Sequence, residues 1–190
     1  MKQIILIRHA KVDIDNSQKI ASTLLKNWVE AYDMADICSE SKPTQVSIDV
    51  VNSADVVITS SLRRAIDSAK VLGADIYESN AIFNEALIPD VHIPFVKFKP
   101  KKWLVILRVL AFFGMGTKDT LLKASKLQAK EASLRLLELA DEHESIVLVG
   151  HGGMNWLIHK VLMKEGWTLE SNASNANWGV TVLKQEEIKG

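Results

Sequence analysis

Residues 145–153 read SIVLVGHGG, and this stretch decides the fold class. After Ser145, residues 146–149 form an uninterrupted apolar run, which predicts a strand buried on both faces of a sheet. Gly152 and Gly153 then begin a stretch with apolar residues at helical spacing, which ends near Gly166. A buried strand followed at once by a helix is typical of a parallel sheet covered by helices.

The same alternation recurs along the chain. Further strands are predicted at 3–7, 55–59 and 180–183. Apolar residues at helical spacing predict one helix over 17–32, with Ser17 as its N-cap, and another over 62–72. We therefore expect an α/β fold, built as a three-layer α/β/α sandwich around a mostly parallel sheet.

Composition limits the classes of protein that this chain can belong to. Its 190 residues favour a single domain, and 47% hydrophobic with 24% charged residues excludes a disordered chain. The 23 basic and 23 acidic residues argue against a protein that is basic throughout for binding nucleic acid. Cys38 is the only cysteine, so no intrachain disulfide can form, and we expect a reducing, cytoplasmic location.

Charge is unevenly distributed between two parts of the chain. Residues 95–130 contain nine basic residues and one acidic residue, which gives this segment a net charge of +8. Since the whole chain has a net charge of zero, the rest carries −8. We therefore predict one domain over 1–190 with a basic and apolar helical cap inserted at about 91–130.

Two histidines directly follow predicted strands. Arg8 and His9 come after the first strand, and His151 follows SIVLV and Gly150. Ligands of open α/β sheets bind at the carboxyl ends of the strands, so these side chains could converge on one ligand. A phosphoryl group fits them, because the planar guanidinium of an arginine matches phosphate oxygens. Ser60, at the end of another strand, adds a hydroxyl and a helix N-terminus that favours anions.

Four motifs together resemble the histidine phosphatase superfamily, in its phosphoglycerate mutase-like branch. They occur in the family's order and are LIRHA at 6–10, TSSLRRA at 59–65, FNE at 83–85 and VGHGG at 149–153. The resemblance covers about 1–90 and 145–185, and it fails across 90–130. It implies a phosphoglycerate mutase-like fold and a metal-independent phosphoric ester hydrolase that needs no cofactor.

The resemblance also implies roles for particular residues. His9 would be the nucleophile and would form a phosphohistidine. The remaining phosphate-site residues would be Arg8, Arg64, His151, Ser60 and Gly152. Of the two neighbouring arginines, Arg63 is expected to lie in solvent instead.

The resemblance implies that Glu85 protonates the leaving oxygen and then activates water. Asp13, four residues after His9, is the alternative acid. The family places an asparagine six residues after the nucleophile, where this chain has Asp15. A carboxylate at that place would repel a phosphate, so either the loop shifts or the contact is missing. This departure is one reason not to expect mutase activity.

The cap has several open interpretations. An apolar helix at 103–113 is usually buried, either over the active site or against a second subunit in a homodimer. The lysines before it would also suit a peripheral membrane contact through 97–113. A third interpretation has these lysines steer a highly phosphorylated substrate.

The expected function is hydrolysis of a phosphomonoester, or of a phosphohistidine, through a phosphohistidine on His9. The partner would be a small phosphorylated substrate or a phosphoprotein, and not nucleic acid. Two alternatives stay open at this point: a non-catalytic phosphate- or partner-binding protein of the same fold, and a phosphotransferase of the phosphoglycerate mutase type.

Overall fold

The computed structural model describes residues 1–87, 93–112, 120–170 and 173–185. Its strands are β1 (Lys2–Arg8), β2 (Ile20–Ala21), β3 (Val56–Ser60), β4 (Ile76–Asn80), β5 (Lys97–Phe98), β6 (Ser145–Gly150), β7 (Thr168–Leu169) and β8 (Val180–Gln185). Its α-helices are α1 (Leu25–Met34), α2 (Gln45–Asn52), α3 (Arg63–Val71), α4 (Pro100–Phe112), α5 (Thr120–Glu142) and α6 (Gly152–Lys164). Short 3-10 turns at Ser22–Leu24 and Ala81–Phe83 complete these elements.

Six of the strands form one sheet in the order β4-β3-β6-β1-β8-β7. β4, β3, β6 and β1 pair in parallel, whereas β8 runs antiparallel to both of its neighbours. In this register Arg8 lies opposite Gly150, and Thr59 lies opposite Val149. The carboxyl ends of β1, β3 and β6 therefore meet at one edge of the sheet, as the mostly parallel topology predicts.

The alternation of side chains along β1 produces the three layers. Ile4 and Leu6 pack into a core beneath α5 and α6, whereas Ile5 and Ile7 pack into a second core on the side of α2 and α3. All four side chains are buried, so both faces of the sheet are covered. The expected α/β/α sandwich is confirmed.

A third, smaller core joins α4 to the N-terminal part of the chain. Trp103 and Leu107 of α4 are buried against Leu25 of α1, and the indole Nε1 of Trp103 donates to the carbonyl of Ile20 at 2.8 Å. The pairing of β2 with β5 adds a two-stranded ribbon beside this contact. The packing holds α4 over the carboxyl edge of the sheet.

The prediction of a helix over 17–32 is wrong at its beginning. Ile20 and Ala21 form β2, and the α-helix begins only at Leu25. Ser17 is not an N-cap: its backbone N–H donates to the Asp15 carboxylate at 2.7 Å, which closes a turn before the ribbon. Pairing with β5, which is distant in sequence, overrides the local helical pattern. The pattern also did not reveal α2, α5 or β4.

The apolar helix expected at 103–113 corresponds to α4, which has one buried face and one exposed face. Trp103 and Leu107 face inward, but Val105 is 59% exposed and Val109 is 49% exposed. The membrane and homodimer contacts of this segment stay predictions. No helix among the described residues is long and apolar enough to cross a bilayer. Residues 91, 92 and 113–119 of the predicted cap lie outside the described residues, and α5 continues unbroken past residue 130.

Candidate active site

His9 lies at the carboxyl end of β1 with only 2% of its surface exposed. Its ring Nδ1 lies 2.6 Å from the carbonyl oxygen of Ala10. A carbonyl oxygen only accepts hydrogen bonds, so Nδ1 carries the proton and donates. In the neutral ring, the lone pair is then on Nε2. The backbone thus selects the tautomer in which Nε2 of His9 carries the available lone pair.

The charge state of His9 follows from its surroundings. Burial holds the pKa of the imidazole well below its ordinary value of 6.5, and the positive charges of His151, Arg64 and Arg8 lower this pKa further. The hydrogen bond to Ala10 acts in the opposite direction but does not outweigh burial. His9 is therefore neutral at pH 7.

This lowered pKa predicts how stability depends on pH. The unfolded chain binds a proton at His9 below about pH 6.5 while the folded chain does not, so the free energy of unfolding falls as pH falls below 6.5. The loss is at most about 1.4 kcal/mol per pH unit for one histidine. His159, whose pKa burial also lowers, adds a loss of the same sign. In urea unfolding at pH 7 and pH 5, His9→Asn should lose less stability than the wild type. An equal loss in both proteins would contradict the neutral state of His9.

Arg8 is held by the loop that precedes β8. Its Nη1 donates to the carbonyl of Asn175 at 2.5 Å, and the backbone carbonyl of Arg8 accepts from the N–H of Trp178. The Asn177 amide donates to the carbonyl of His9 at 2.8 Å. Trp178 is buried and has a left-handed backbone, with φ at 61°, which is costly for a tryptophan. Its surroundings thus impose this conformation beside the Arg8–His9 pair.

Arg64 lies in the first turn of α3 and is 3% exposed. Its Nη1 donates to the Asp33 carboxylate at 2.6 Å, and its guanidinium stacks 4.8 Å from the centre of the Tyr32 ring. Arg63, one position earlier, points away and forms ion pairs with Asp36 and Asp67 on the surface. The expectation that Arg64 and not Arg63 faces the site agrees with this placement.

The two arginines of the site keep donors for a ligand. The Nε of Arg8 and the Nε of Arg64 are buried N–H groups, and neither has a hydrogen-bond partner in the described part of the chain. A buried donor without a partner carries a free-energy cost of about 1–3 kcal/mol. Both side chains also line a cavity at this edge of the sheet, so an oxyanion bound there would contact the guanidinium groups.

Glu85 lies at the N-terminus of α6. Its two carboxylate oxygens accept from the backbone N–H groups of Met154 at 3.0 Å and Gly153 at 3.4 Å. Two amides of the first helical turn thus hold the carboxyl group of Glu85 in place. This contact joins the segment after β4 to the helix that follows His151.

His151 lies directly beneath His9 and is fully buried, with the two ring centres 5.1 Å apart. The Nε2 of its ring and the hydroxyl of Ser60 form a hydrogen bond of 2.6 Å. Ser60 also accepts from the backbone N–H of Leu62 at 3.3 Å, at the start of α3. The pair thereby links the ends of β3 and β6.

A cavity of about 580 Å³ lies over these groups. Its lining includes Arg8, His9, Arg64 and Glu85. Gly152 lines a separate cavity of about 80 Å³, where a Cβ would lie 2.2 Å from the amide oxygen of Asn175. The main cavity therefore collects four of the predicted site residues. Ser60 and His151 lie buried behind it, and Gly152 opens to a neighbouring space.

Comparisons with solved structures identify the fold over nearly the whole chain. Open reading frame Rv3214 of Mycobacterium tuberculosis matches with a TM-score of 0.59 and 12% identity, over 98% of this chain and 93% of that one. A phosphoserine phosphatase of Entamoeba histolytica, solved with 3-phosphoglyceric acid, matches with a TM-score of 0.54 and 18% identity, over 96% and 90%. This chain has the histidine phosphatase fold.

A third structure with this fold is a putative alpha-ribazole-5'-P phosphatase of Escherichia coli. It matches with a TM-score of 0.55 and 12% identity, over 98% of this chain and 92% of that one. No model of a known protein family matches the sequence, and no curated protein matches it either. The likeness to histidine phosphatases is therefore one of backbone structure, and at these identities it establishes the fold alone.

On this histidine phosphatase fold, the two aspartates after His9 lie outside the site. Asp13 and Asp15 are both exposed, and neither lines the cavity. Asp15 accepts from Ser17 in its own loop. The carboxylate beside the phosphate-site arginines is instead Asp33, from α1. This arrangement favours Glu85 over Asp13 as the acid.

Sequence reasoning missed Tyr32 and Asp33, which contact Arg64, and it favoured a role in a turn for Asn177, which holds the His9 backbone. In the sequence, Tyr32 contributed only to the apolar spacing of a helix, and Asp33 belonged to no motif. These residues reach the site only through packing between α1 and α3 and through the loop before β8. The sequence contains no local signal for such contacts.

Proposed function

We propose that this chain is a metal-independent phosphatase that hydrolyses phosphomonoesters through a phosphohistidine on His9. One observation carries the proposal: the Nδ1 of His9 is committed to the Ala10 carbonyl in a buried, neutral ring. That leaves Nε2 as a nucleophile among two arginines whose buried Nε groups lack partners in the described chain. A histidine with a structural role alone would not need these features together.

In the first step, the Nε2 lone pair attacks phosphorus and the bond from phosphorus to the ester oxygen breaks. Arg8 and Arg64 donate to the equatorial oxygens, where negative charge is spread in the transition state. Glu85 in its protonated form gives its proton to the leaving oxygen, so that the product leaves as a neutral alcohol. His9 now carries the phosphoryl group on Nε2 and a proton on Nδ1.

In the second step, the Glu85 carboxylate takes a proton from water as the water oxygen attacks phosphorus. The bond from phosphorus to Nε2 breaks and its electron pair returns to the ring. Orthophosphate leaves, Glu85 is protonated again, and His9 regains its neutral tautomer. Dividing one displacement into two gives each a competent nucleophile, and no metal enters either step.

The deciding experiment measures hydrolysis of p-nitrophenyl phosphate by the wild type, with and without EDTA. Turnover that EDTA does not change supports the metal-independent mechanism. Product analysis in the presence of a phosphate acceptor separates a phosphatase from a mutase. A phosphatase releases orthophosphate, whereas a mutase would transfer the phosphoryl group to the acceptor. Phosphate binding without any turnover would favour the non-catalytic alternative and would contradict the proposal.

Glu85→Gln provides a sharper test, because its effect should depend on the leaving group. The amide keeps an oxygen that can accept from α6 but cannot give up a proton. We expect kcat/KM for an alkyl phosphate to fall about 10²-fold, and that for p-nitrophenyl phosphate to fall much less, since p-nitrophenolate leaves without protonation. Equal losses for both esters would remove Glu85 from the role of acid. Asp13→Asn is the matched control and should change neither value by more than about twofold.

A further inference from the structure

The cavity over His9 is much larger than the phosphoryl group that its arginines would bind. A volume of about 580 Å³ is in the range of sites for whole small molecules. Beyond the groups already described, most of its wall is apolar. The apolar lining consists of Leu25, Val29, Leu62, Ala86, Leu87, Leu104 and Leu107. A substrate that fills this space must place most of its surface against hydrocarbon.

The charges of the described cavity lining sum to zero, which leaves no excess of cations for a second anionic group. The described lining has three permanent cations, Arg8, Lys26 and Arg64, and three carboxylates, Glu30, Asp33 and Glu85. Asp33 already pairs with Arg64. Lys26, the one cation of this lining that lies apart from the phosphate site, is on the same face of α1 as Glu30, four residues later. A second anionic group would therefore meet carboxylates as often as cations.

From this wall and this charge balance we propose that the preferred substrates are phosphomonoesters with an apolar body and no second charged group. The inference rests on the proposed function and specifies its substrate class. The bond broken joins phosphorus to the ester oxygen, and the products are orthophosphate and an apolar alcohol. A highly phosphorylated substrate, which the basic segment at 95–130 suggested, does not fit this lining.

The apolar wall comes mainly from two helices that pack on one another. Leu25 and Val29 belong to α1, and Leu104 and Leu107 belong to α4. Leu25 and Leu107 are fully packed, whereas Leu104 is half-buried and faces the cavity. Leu104 can thus be replaced with less damage to the core than Leu25 or Leu107, and we assign it the role of a specificity residue.

A series of linear alkyl phosphates from ethyl to octyl, kept below their micelle concentrations, tests the substrate class. All members release a primary alcohol, so the leaving group is nearly constant. We expect kcat/KM to rise roughly threefold per added methylene until the wall is covered. Phosphoserine and 3-phosphoglycerate should lie roughly 50-fold or more below hexyl phosphate, since each carries a second charge and little apolar surface. A flat series, or phosphoserine above hexyl phosphate, would overturn the proposal.

Variants of two neighbouring residues test whether the cavity wall causes the dependence of kcat/KM on chain length. Leu104→Asn places an amide in the wall of the cavity. In this variant the rise in kcat/KM per added methylene should be less than about half of that in the wild type. Val105→Asn changes the next residue, which points to solvent on the outer face of α4, and should leave the series unchanged. The same loss in both variants would mean that the wall does not select the substrate.

Binding measurements separate this inference from the proposed function. Alkylphosphonates have no ester bond to hydrolyse, and calorimetry gives their affinities whether or not the protein is an enzyme. Affinity that increases with chain length in the wild type, and less in Leu104→Asn, supports the apolar site even if no ester is turned over. Affinity independent of chain length would refute the inference while leaving hydrolysis through His9 intact.

Discussion

Replacing His9 by alanine should abolish phosphatase activity, with a loss of at least about 10⁴-fold in kcat, because no other described group can accept the phosphoryl group at that place. The loss in kcat of His9→Asn should be as large. Its amide can still donate to the Ala10 carbonyl, which preserves the local backbone, but it has no ring nitrogen to attack phosphorus. Rates with p-nitrophenyl phosphate measure both variants.

Folding and chemistry can be separated in this experiment. His9 lies at a strand end, so both variants should unfold in one cooperative transition near that of the wild type. His143→Ala is the matched control, since His143 contacts Tyr77 on the far side of the sheet and has no place in the cavity. Wild-type turnover in His9→Asn would refute the mechanism.

The intermediate itself gives a second readout. After brief incubation with labelled substrate and denaturation in alkali, the wild type should retain label that mild acid releases, as expected for a phosphorus–nitrogen bond. His9→Ala should retain none. Label that persists in acid would indicate a phosphoester on another side chain and would contradict a role for His9 as the nucleophile.

Arg64→Ala should lower kcat/KM about 10³-fold, whereas Arg63→Ala should change it by less than about threefold. The two side chains are adjacent in sequence but point in different directions from α3. Arg64 is buried and lines the cavity, and Arg63 pairs with surface aspartates. Equal losses in the two variants would contradict a phosphate site on the Arg64 side of α3.

Removing Arg64 also leaves Asp33 without its partner, so a loss of activity could follow from a loss of structure. Arg64→Lys keeps the positive charge but not the planar guanidinium with several donors. We expect this variant to remain folded with an unfolding midpoint close to that of the wild type, and to lose roughly 10–100-fold, mainly in kcat. A kcat of Arg64→Lys equal to that of the wild type would mean that Arg64 contributes only its positive charge.

Much of the site was predictable from sequence because its residues follow strands directly. An apolar run such as SIVLV identifies a buried strand, and parallel strands place their carboxyl ends together. Arg8, His9, Ser60 and His151 therefore converge in the structure as their positions in the chain predict. Glu85 was expected from the resemblance and not from a predicted strand, and the structure brings it to the same cavity.

The remaining features depend on contacts between segments distant in sequence. Asp33 meets Arg64 across 31 residues, and Asn177 reaches the His9 backbone across 168. The start of α1 was mispredicted because Ile20 pairs with Phe98 in a ribbon instead of extending the helix. Local periodicity cannot show such pairings, since it reports only which face of an element is apolar.

The sequence alone thus determined the α/β class, the four strands β1, β3, β6 and β8 and the residues at their ends, because these follow from short-range hydrophobic patterning. Only the tertiary structure decided which nitrogen of His9 is available, which carboxylates surround the arginines and which leucines of α1 and α4 form the wall of the cavity. Those properties depend on distances of a few ångströms between elements, and such distances are fixed by packing of the whole chain.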